Sequence, residues 1–343
     1  MGRGRLVAGF AVAAAVLALF VAGLGAGRVE SALRSADPAT YALAPAATLL
    51  VIALWTGTLV VLLRTVPGVH RGRRFLGAYA TGLFLVDVAP WGRTGGSVLV
   101  SYGIARRSTA SYERVLAAVL VAGVLKFVAS LAVAAAGAAF LLRAAALPAS
   151  VLRPWVAVTG SAVVLVGAAA VFVARPGVLV RVALGAAALL RATVGRASPT
   201  VGAVLGREAL GGRIDRFFET TRALAVSGRT LLAALALAVL GWACAALPMY
   251  VSLRAVGVSV PLPVLLLVVP LGGFAGAVPL PGGTGGVEVA YVALLGLLVD
   301  APLATLGAGV LLYRLATYWF MLVVNGAASA ALAPGSPVAD VPS

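Results

Sequence analysis

Residues 279–289 read P-L-P-G-G-T-G-G-V-E-V and lie between two apolar runs, 261–278 and 289–299. Glycine and proline weaken a helix, and a carboxylate such as Glu288 is costly within hydrocarbon. A stretch of this kind persists in an apolar region only where protein or a water-filled cavity satisfies its backbone. It therefore predicts a sharp, non-helical turn in the middle of a membrane protein.

The rest of the chain has the composition of a polytopic membrane protein. Of its 343 residues, 62% are hydrophobic and only 10% are charged, whereas a soluble domain carries roughly a quarter charged residues. Several apolar runs reach the roughly 20 residues that a spanning helix needs. We predict an all-α fold, a polytopic transmembrane helical bundle. The runs are residues 6–26, 41–63, 115–142, 155–174, 230–253 and 303–332.

Arginine residues predict the orientation of the first helices. The first run follows M-G-R-G-R, and we expect a retained helix, the alternative being a cleaved signal peptide. Charges between 27 and 40 cancel, whereas the 64–74 loop carries Arg64, Arg71, Arg73 and Arg74. The positive-inside rule then puts the N-terminus and the 64–74 loop in the cytoplasm and the 27–40 loop outside.

The interval 175–229 is strongly basic, with nine arginines against three acidic residues. This bias predicts a cytoplasmic location, and it accounts for the net charge of +16 without nucleic acid. Residues 178–194 fit a helix lying in the membrane interface or a short span. We expect a cytoplasmic C-terminus and a disordered tail at 334–343.

A sequence repeat relates the two halves of the chain. Residues 92–96 read G-R-T-G-G and residues 282–286 read G-G-T-G-G; each follows a proline and precedes a tyrosine. Short or interrupted apolar segments surround both motifs, namely 75–89, 97–105, 260–278 and 287–299. Within one domain, 1–333, we predict two inverted repeats, about 41–142 and 230–332. Each would contain a re-entrant broken helix, at about 75–105 and 260–299, as in alternating-access transporters.

The glycine turns and the buried charges form the candidate site. Bare backbone amides bind anions, and a guanidinium beside them suits phosphate. An isolated charge costs roughly 2.5–3.5 kcal/mol at a helix centre, so we predict that Glu288 pairs with Arg314 and Asp87 with Lys126. The alternative is a packed turn with purely structural pairs. The candidate substrate-binding residues are Gly92, Arg93, Gly95, Gly96, Gly282, Gly283, Gly285, Gly286, Asp87, Lys126, Glu288 and Arg314.

Three motifs resemble the lysylphosphatidylglycerol synthase transmembrane region, also called the flippase-like domain family. They are P-L-P-G-G-T-G-G-V-E at 279–288, L-L-Y-R-L-A-T-Y-W-F at 311–320 and P-W-G-R-T-G-G at 90–96. The resemblance implies a membrane-embedded domain associated with moving lipids between leaflets. Full-length synthases add an aminoacyl-transferase domain, and because this chain stops at Ser343 we do not expect lipid lysinylation.

Three functions remain open. We favour a translocase for an anionic phospholipid or lipid-linked intermediate, in the plasma membrane of a prokaryote. A membrane enzyme would have to use Asp87 and Glu288, and a non-transporting scaffold would recruit a glycosyltransferase through 175–229. The single cysteine, Cys244, and the single histidine, His70, offer no metal cluster or catalytic triad. We expect no cofactor and no nucleic acid; homo-oligomers are a further expectation.

Overall fold

The computed structural model describes residues 3–69, 72–89, 92–143, 216–217, 219–221, 228–277 and 280–332, and within these ranges every regular element is a helix. The predicted all-α membrane fold is confirmed. The predicted span 155–174, most of the 175–229 interval and the 334–343 tail lie outside the described residues.

The α-helices are α1 (Arg3–Leu24), α2 (Ala26–Arg34), α3 (Pro38–Tyr41), α4 (Leu43–Leu63), α5 (Arg73–Val88), α6 (Gly92–Ala105), α7 (Tyr112–Arg143), α8 (Gly228–Cys244), α9 (Ala246–Ala255), α10 (Leu262–Gly273), α11 (Gly286–Leu298), α12 (Leu303–Arg314) and α13 (Phe320–Ala331).

Among the described helices, five segments have the length and composition to cross a membrane, and α1 with α2 would add a sixth if that pair, bent by 91°, were one span. The prediction that the segment 287–299 is too short to cross a membrane needs correction. A 3₁₀ turn at Pro281–Gly283 runs into α11 and lengthens this segment. The five are Pro38–Leu63, Tyr112–Arg143, Gly228–Ala255, Pro281–Leu298 and Leu303–Ala331.

The 27–40 segment is helical rather than the predicted loop. Gly25 has φ 90° and ends α1, and α2 begins directly after it. Asp37 then caps α3 by accepting hydrogen bonds from the amides of Ala39 and Thr40 and from the Thr40 hydroxyl. These bonds, the Thr40 hydroxyl first, lower the pKa of Asp37. Polar composition marked this segment as a connection but concealed two short helices, of which α3 is capped by a side chain.

The short segments form two helical hairpins. In the first, α5 packs along α6, and a Cβ added at Gly82 would lie 2.7 Å from the Cα of Val100. In the second, α10 packs on α11, and a Cβ added at Gly272 would lie 2.3 Å from the ring of Tyr291. Small residues let helices approach this closely in membrane proteins. Whether either hairpin re-enters the membrane from one side stays a prediction.

Each hairpin packs against the last span of the other repeat. Helix α10 of the second hairpin lies on α7, whereas α5 of the first lies on α13. The two spans that precede the hairpins, α4 and α8, pack on each other, and the rings of Trp55 and Trp242 meet edge to face at 5.2 Å. An approximate twofold relation between the repeats would produce this exchange. The inversion itself stays a prediction, because most of the chain between Arg143 and Gly228 is not described.

Substitution of Gly137 tests the contact between α7 and α10. A Cβ there would lie 2.7 Å from the carbonyl oxygen of Pro263 and 2.9 Å from the amide nitrogen of Leu267. Because these are backbone atoms that cannot rotate away, Gly137→Ala should destabilise the fold by about 1–3 kcal/mol. Gly123→Ala, on the same helix but with no atom within 4 Å of the new Cβ, is the matched control. Thermal unfolding in detergent should separate the two variants, and equal stability would contradict the packing.

Candidate functional site

A buried ion pair joins the start of α11 to the end of α12. The Arg314 Nε lies 2.7 Å from the Glu288 Oε1, and the two side chains are only 4% and 1% exposed. This contact confirms the predicted pairing of Glu288 with Arg314. The two charges satisfy each other in an apolar surrounding where either one alone would be costly.

Both partners of the pair also bind the backbone of the glycine turn. The second carboxylate oxygen of Glu288 accepts a hydrogen bond of 2.6 Å from the amide of Gly285. The Arg314 Nη2 donates a bond of 2.9 Å to the carbonyl oxygen of Gly282. Glu288 lies in the first turn of α11, where the helix dipole favours a negative charge. The turn and the ion pair therefore hold each other in place.

The glycines of this turn are required by its shape. Gly282, Gly283 and Gly285 have φ angles of 62°, 66° and 91°, which side chains rarely adopt. A Cβ at Gly282 would lie 2.3 Å from the ring of Tyr318, and one at Gly285 would lie 2.2 Å from Val16 of α1. Gly286 follows as the first residue of α11.

The expectation that the turn leaves its amides bare is wrong for two glycines. The amide of Gly283 donates to the carbonyl oxygen of Leu280 at 2.8 Å, and the amide of Gly285 donates to Glu288. Residues 281–285 are all buried. Sharp turns at membrane depth must satisfy their own polar groups, and here the carboxylate does so for Gly285.

The first glycine motif has a different backbone. Gly92, Gly95 and Gly96 lie within α6, and none of them has a positive φ. The reason is visible in the sequence, because Arg93 stands where the second motif has Gly283, and a positive φ is strained for a residue with a side chain. The side chain of Arg93 lies outside the described residues, and its role stays a prediction.

A chain of polar contacts runs from the ion pair to the first hairpin. The Arg314 guanidinium lies 4.8 Å above the ring of Tyr318, whose hydroxyl donates to the carbonyl oxygen of Asp87 at 3.0 Å. The amide nitrogen of Asn325 donates to the carboxylate of Asp87 at 3.2 Å. We call these five residues, Glu288, Arg314, Tyr318, Asp87 and Asn325, the polar chain. It connects α11 and α12 to α5 and α13.

The sequence analysis missed Tyr318 and Asn325. Tyr318 lies in a π-helical turn, Leu315–Trp319, that separates α12 from α13, and such turns are frequent at functional sites. Asn325 is a buried amide inside an apolar span, which was a readable signal because buried amides need partners. Tyr318 gave no signal of its own, since tyrosine is common in membrane helices.

The predicted pairing of Asp87 with Lys126 is wrong. None of the ion pairs between described residues joins these two side chains, and one contact of the Asp87 carboxylate is the hydrogen bond from Asn325. The reason is the exchange of helices between repeats: α5, which carries Asp87, packs on α13, whereas α7, which carries Lys126, packs on α10 and α8. Within the described part of the chain, no group of three or more His, Cys, Asp and Glu residues could hold a metal ion.

The sequence profile of the lysylphosphatidylglycerol synthase TM region matches residues 6–324, which include the glycine turn and every residue of the polar chain except Asn325. The chain belongs to this family. Comparison with curated proteins gave no match. Membership in the synthase TM family indicates a membrane protein with a lipid-related function, and the matched region is usually non-catalytic.

The ion pair of this family member can be tested by substitution. Glu288→Ala and Arg314→Ala should each cost about 3–5 kcal/mol, because each leaves a buried charge without its partner. The exchanged variant, Glu288→Arg with Arg314→Glu, should not recover the loss, since each side chain also binds a backbone group of matching polarity. Unfolding in detergent measures all three. Full recovery in the exchanged variant would show that the bonds to Gly282 and Gly285 matter little.

Proposed function

We propose that this chain is a lipid translocase, which moves an anionic phospholipid or lipid-linked intermediate between leaflets, and that it is not an enzyme. The observation that carries the proposal is the polar chain. If the polar chain only packed the two hairpins together, apolar residues of similar volume would do so without the free-energy cost of desolvating a buried ion pair. A polar headgroup, in contrast, needs charges and hydrogen-bonding groups on its way across the hydrocarbon.

The arrangement of the hairpins supports movement between two states. The polar chain joins the second hairpin to the first, so a displacement of one hairpin changes the contacts of the other. If the repeats are inverted, the two hairpins would open towards opposite sides in turn, as alternating access requires. On this proposal the chain is one domain, 1–333, in the plasma membrane of a prokaryote, with both termini cytoplasmic.

Helix α1 covers the polar chain from one side. Its Val16 reaches Gly285, and the ring of Phe10 lies 6.5 Å from that of Trp319 in the π-helical turn. Ala13 is buried, whereas Leu19 is 73% exposed. A displacement of α1 would uncover the turn laterally, and a headgroup could enter while its acyl chains stay in the bilayer.

The joint after α1 is suited to such a displacement. Gly25 carries the bend, and Gly23 and Gly27 on either side of it have no atom within 4 Å of an added Cβ. Packing therefore does not explain these two glycines. Glycine lowers helix stability by about 1 kcal/mol relative to alanine, so the segment 23–27 bends more readily than an ordinary helix.

Leaflet exchange of labelled phospholipids in liposomes tests the function. The parent should exchange anionic lipids, and Arg93→Ala should slow anionic lipids more than zwitterionic ones, because a guanidinium binds phosphate oxygens and an added negative charge. Arg106→Ala, just beyond the same helix and exposed, is the control and should exchange as the parent does. If the parent exchanges no lipid, the translocase is refuted; if Arg93→Ala behaves as the parent does, the headgroup role of Arg93 is refuted.

A reversible cross-link tests whether α1 must move away from the polar chain during lipid exchange. In a Cys244→Ala background, Phe10→Cys with Trp319→Cys, joined by a short reducible reagent, should reduce lipid exchange at least tenfold, and a reductant should restore it. Leu24→Cys with Gly307→Cys tethers α1 beside its joint, where a Cβ at 307 would already lie 2.3 Å from Leu24. That second cross-link should leave exchange nearly unchanged. Unaltered exchange under the first cross-link would show that α1 does not open.

One observation favours a second function, the non-transporting scaffold. The ion pair and the turn are buried on every side in this arrangement, as a purely structural core would be. The scaffold would act by binding a membrane-associated glycosyltransferase through the basic interval 175–229, alone or as a homo-oligomer. A parent protein without exchange activity that retains a glycosyltransferase on purification would establish it in place of the translocase.

A further inference from the structure

A groove separate from the polar chain lies between the end of α4 and the start of α5. Its volume is about 350 Å³, within the range of small-ligand pockets. The walls are mostly apolar and include Leu63, Val69, Phe75 and Leu76. Along α5, fourteen residues separate Arg73 from Asp87, which is roughly 21 Å at 1.5 Å per residue. The groove therefore does not belong to the polar chain.

One arginine lines this apolar groove, and two more lie next to its lining residues in sequence. Arg64 lines it, and Arg73 and Arg74 begin the helix beside it. All three are exposed, and none forms an ion pair with a carboxylate in the described part of the chain. No side chain caps the first turn of α5. An apolar cleft with three unpaired cations at its edge is complementary to a molecule that carries an acyl chain and a negative charge.

The groove lies where both an acyl chain and a negatively charged headgroup are within reach. The candidate span Pro38–Leu63 ends at the groove, so its edge lies near the membrane surface, where lipid headgroups are. The 64–74 loop is the one that its arginines predict to be cytoplasmic, and anionic lipids attract basic segments by about 1 kcal/mol per residue near such a surface. Acyl chains of the same leaflet are next to the apolar wall.

We infer that this groove is a binding site for one acyl chain of a resident anionic phospholipid, whose phosphate is held by Arg64, Arg73 and Arg74. The bound lipid joins the end of α4 to the start of α5 and so holds the first hairpin at the membrane surface. The site does not depend on transport, because the lipid stays in its own leaflet.

Native mass spectrometry of the purified chain, titrated in detergent with dioleoyl phosphatidylglycerol or dioleoyl phosphatidylcholine, tests the site. The parent should bind the anionic lipid at least tenfold more tightly. In the variant with Arg64→Gln, Arg73→Gln and Arg74→Gln, the two lipids should bind within about twofold of each other. The control exchanges Arg106 and Arg107 for glutamine and should keep the parent's preference.

Filling the groove separates a specific site from general attraction to basic residues. Leu76 lines the groove and is half-exposed, so Leu76→Trp should fold and should weaken binding of both lipids at least fivefold. Leu85→Trp, on the same helix but away from the groove, should bind as the parent does. A parent without preference for the anionic lipid, or unchanged binding in Leu76→Trp, would overturn the inference.

Discussion

Two opposite charges buried at a helix junction determine the centre of this molecule. In hydrocarbon neither Glu288 nor Arg314 is tolerable alone, and together they are tolerable only if their remaining hydrogen-bonding atoms also find partners. The glycine turn provides those partners, an amide at Gly285 and a carbonyl at Gly282. The turn can bring both groups to the pair only with positive φ angles, which explains why glycine occupies these positions and why the helix is interrupted.

The consequences of the pair extend through the aromatic residues to the other half of the chain. Tyr318 packs over the guanidinium and, at the same time, closes the space that a side chain at Gly282 would need. Its hydroxyl then donates to the backbone at Asp87, the carboxyl end of α5. The π-helical turn that contains Tyr318 shifts the register between α12 and α13. One polar network thus couples two hairpins that are far apart in sequence.

The fold and half of the site were predictable from sequence because the bilayer restricts what a chain can do. Length and hydrophobicity predicted the spans of α4, α7 and α12–α13, and the cost of an isolated charge predicted the Glu288–Arg314 pair. The same cost could not identify a partner for Asp87, because a carboxylate also accepts hydrogen bonds from side-chain amides such as that of Asn325. Which partner it meets depends on the exchange of helices between the repeats, and local sequence carries no record of that exchange.

The similarity of the two glycine motifs also had a limit that chemistry explains. Both motifs have the composition of a glycine turn. In the first motif, however, Arg93 stands at the position of Gly283, and a residue with a side chain is strained at the positive φ that Gly283 adopts. One motif became the start of a helix and the other a turn closed by a carboxylate. Corresponding positions in the two repeats therefore differ in backbone conformation, and a role inferred for one glycine motif does not transfer to the other.

The burial of the ion pair limits how the proposed translocase could admit its substrate. A phosphate that displaced Glu288 from Arg314 would find the geometry it needs, since guanidinium binds phosphate and carboxylate alike. It would also leave Glu288 with only the Gly285 amide and the helix dipole as partners, beside a new negative charge. Like charges at close range repel strongly in a medium of low dielectric constant. An anionic headgroup must therefore bring a cation or a proton with it, or meet Arg314 only after the hairpins have moved apart.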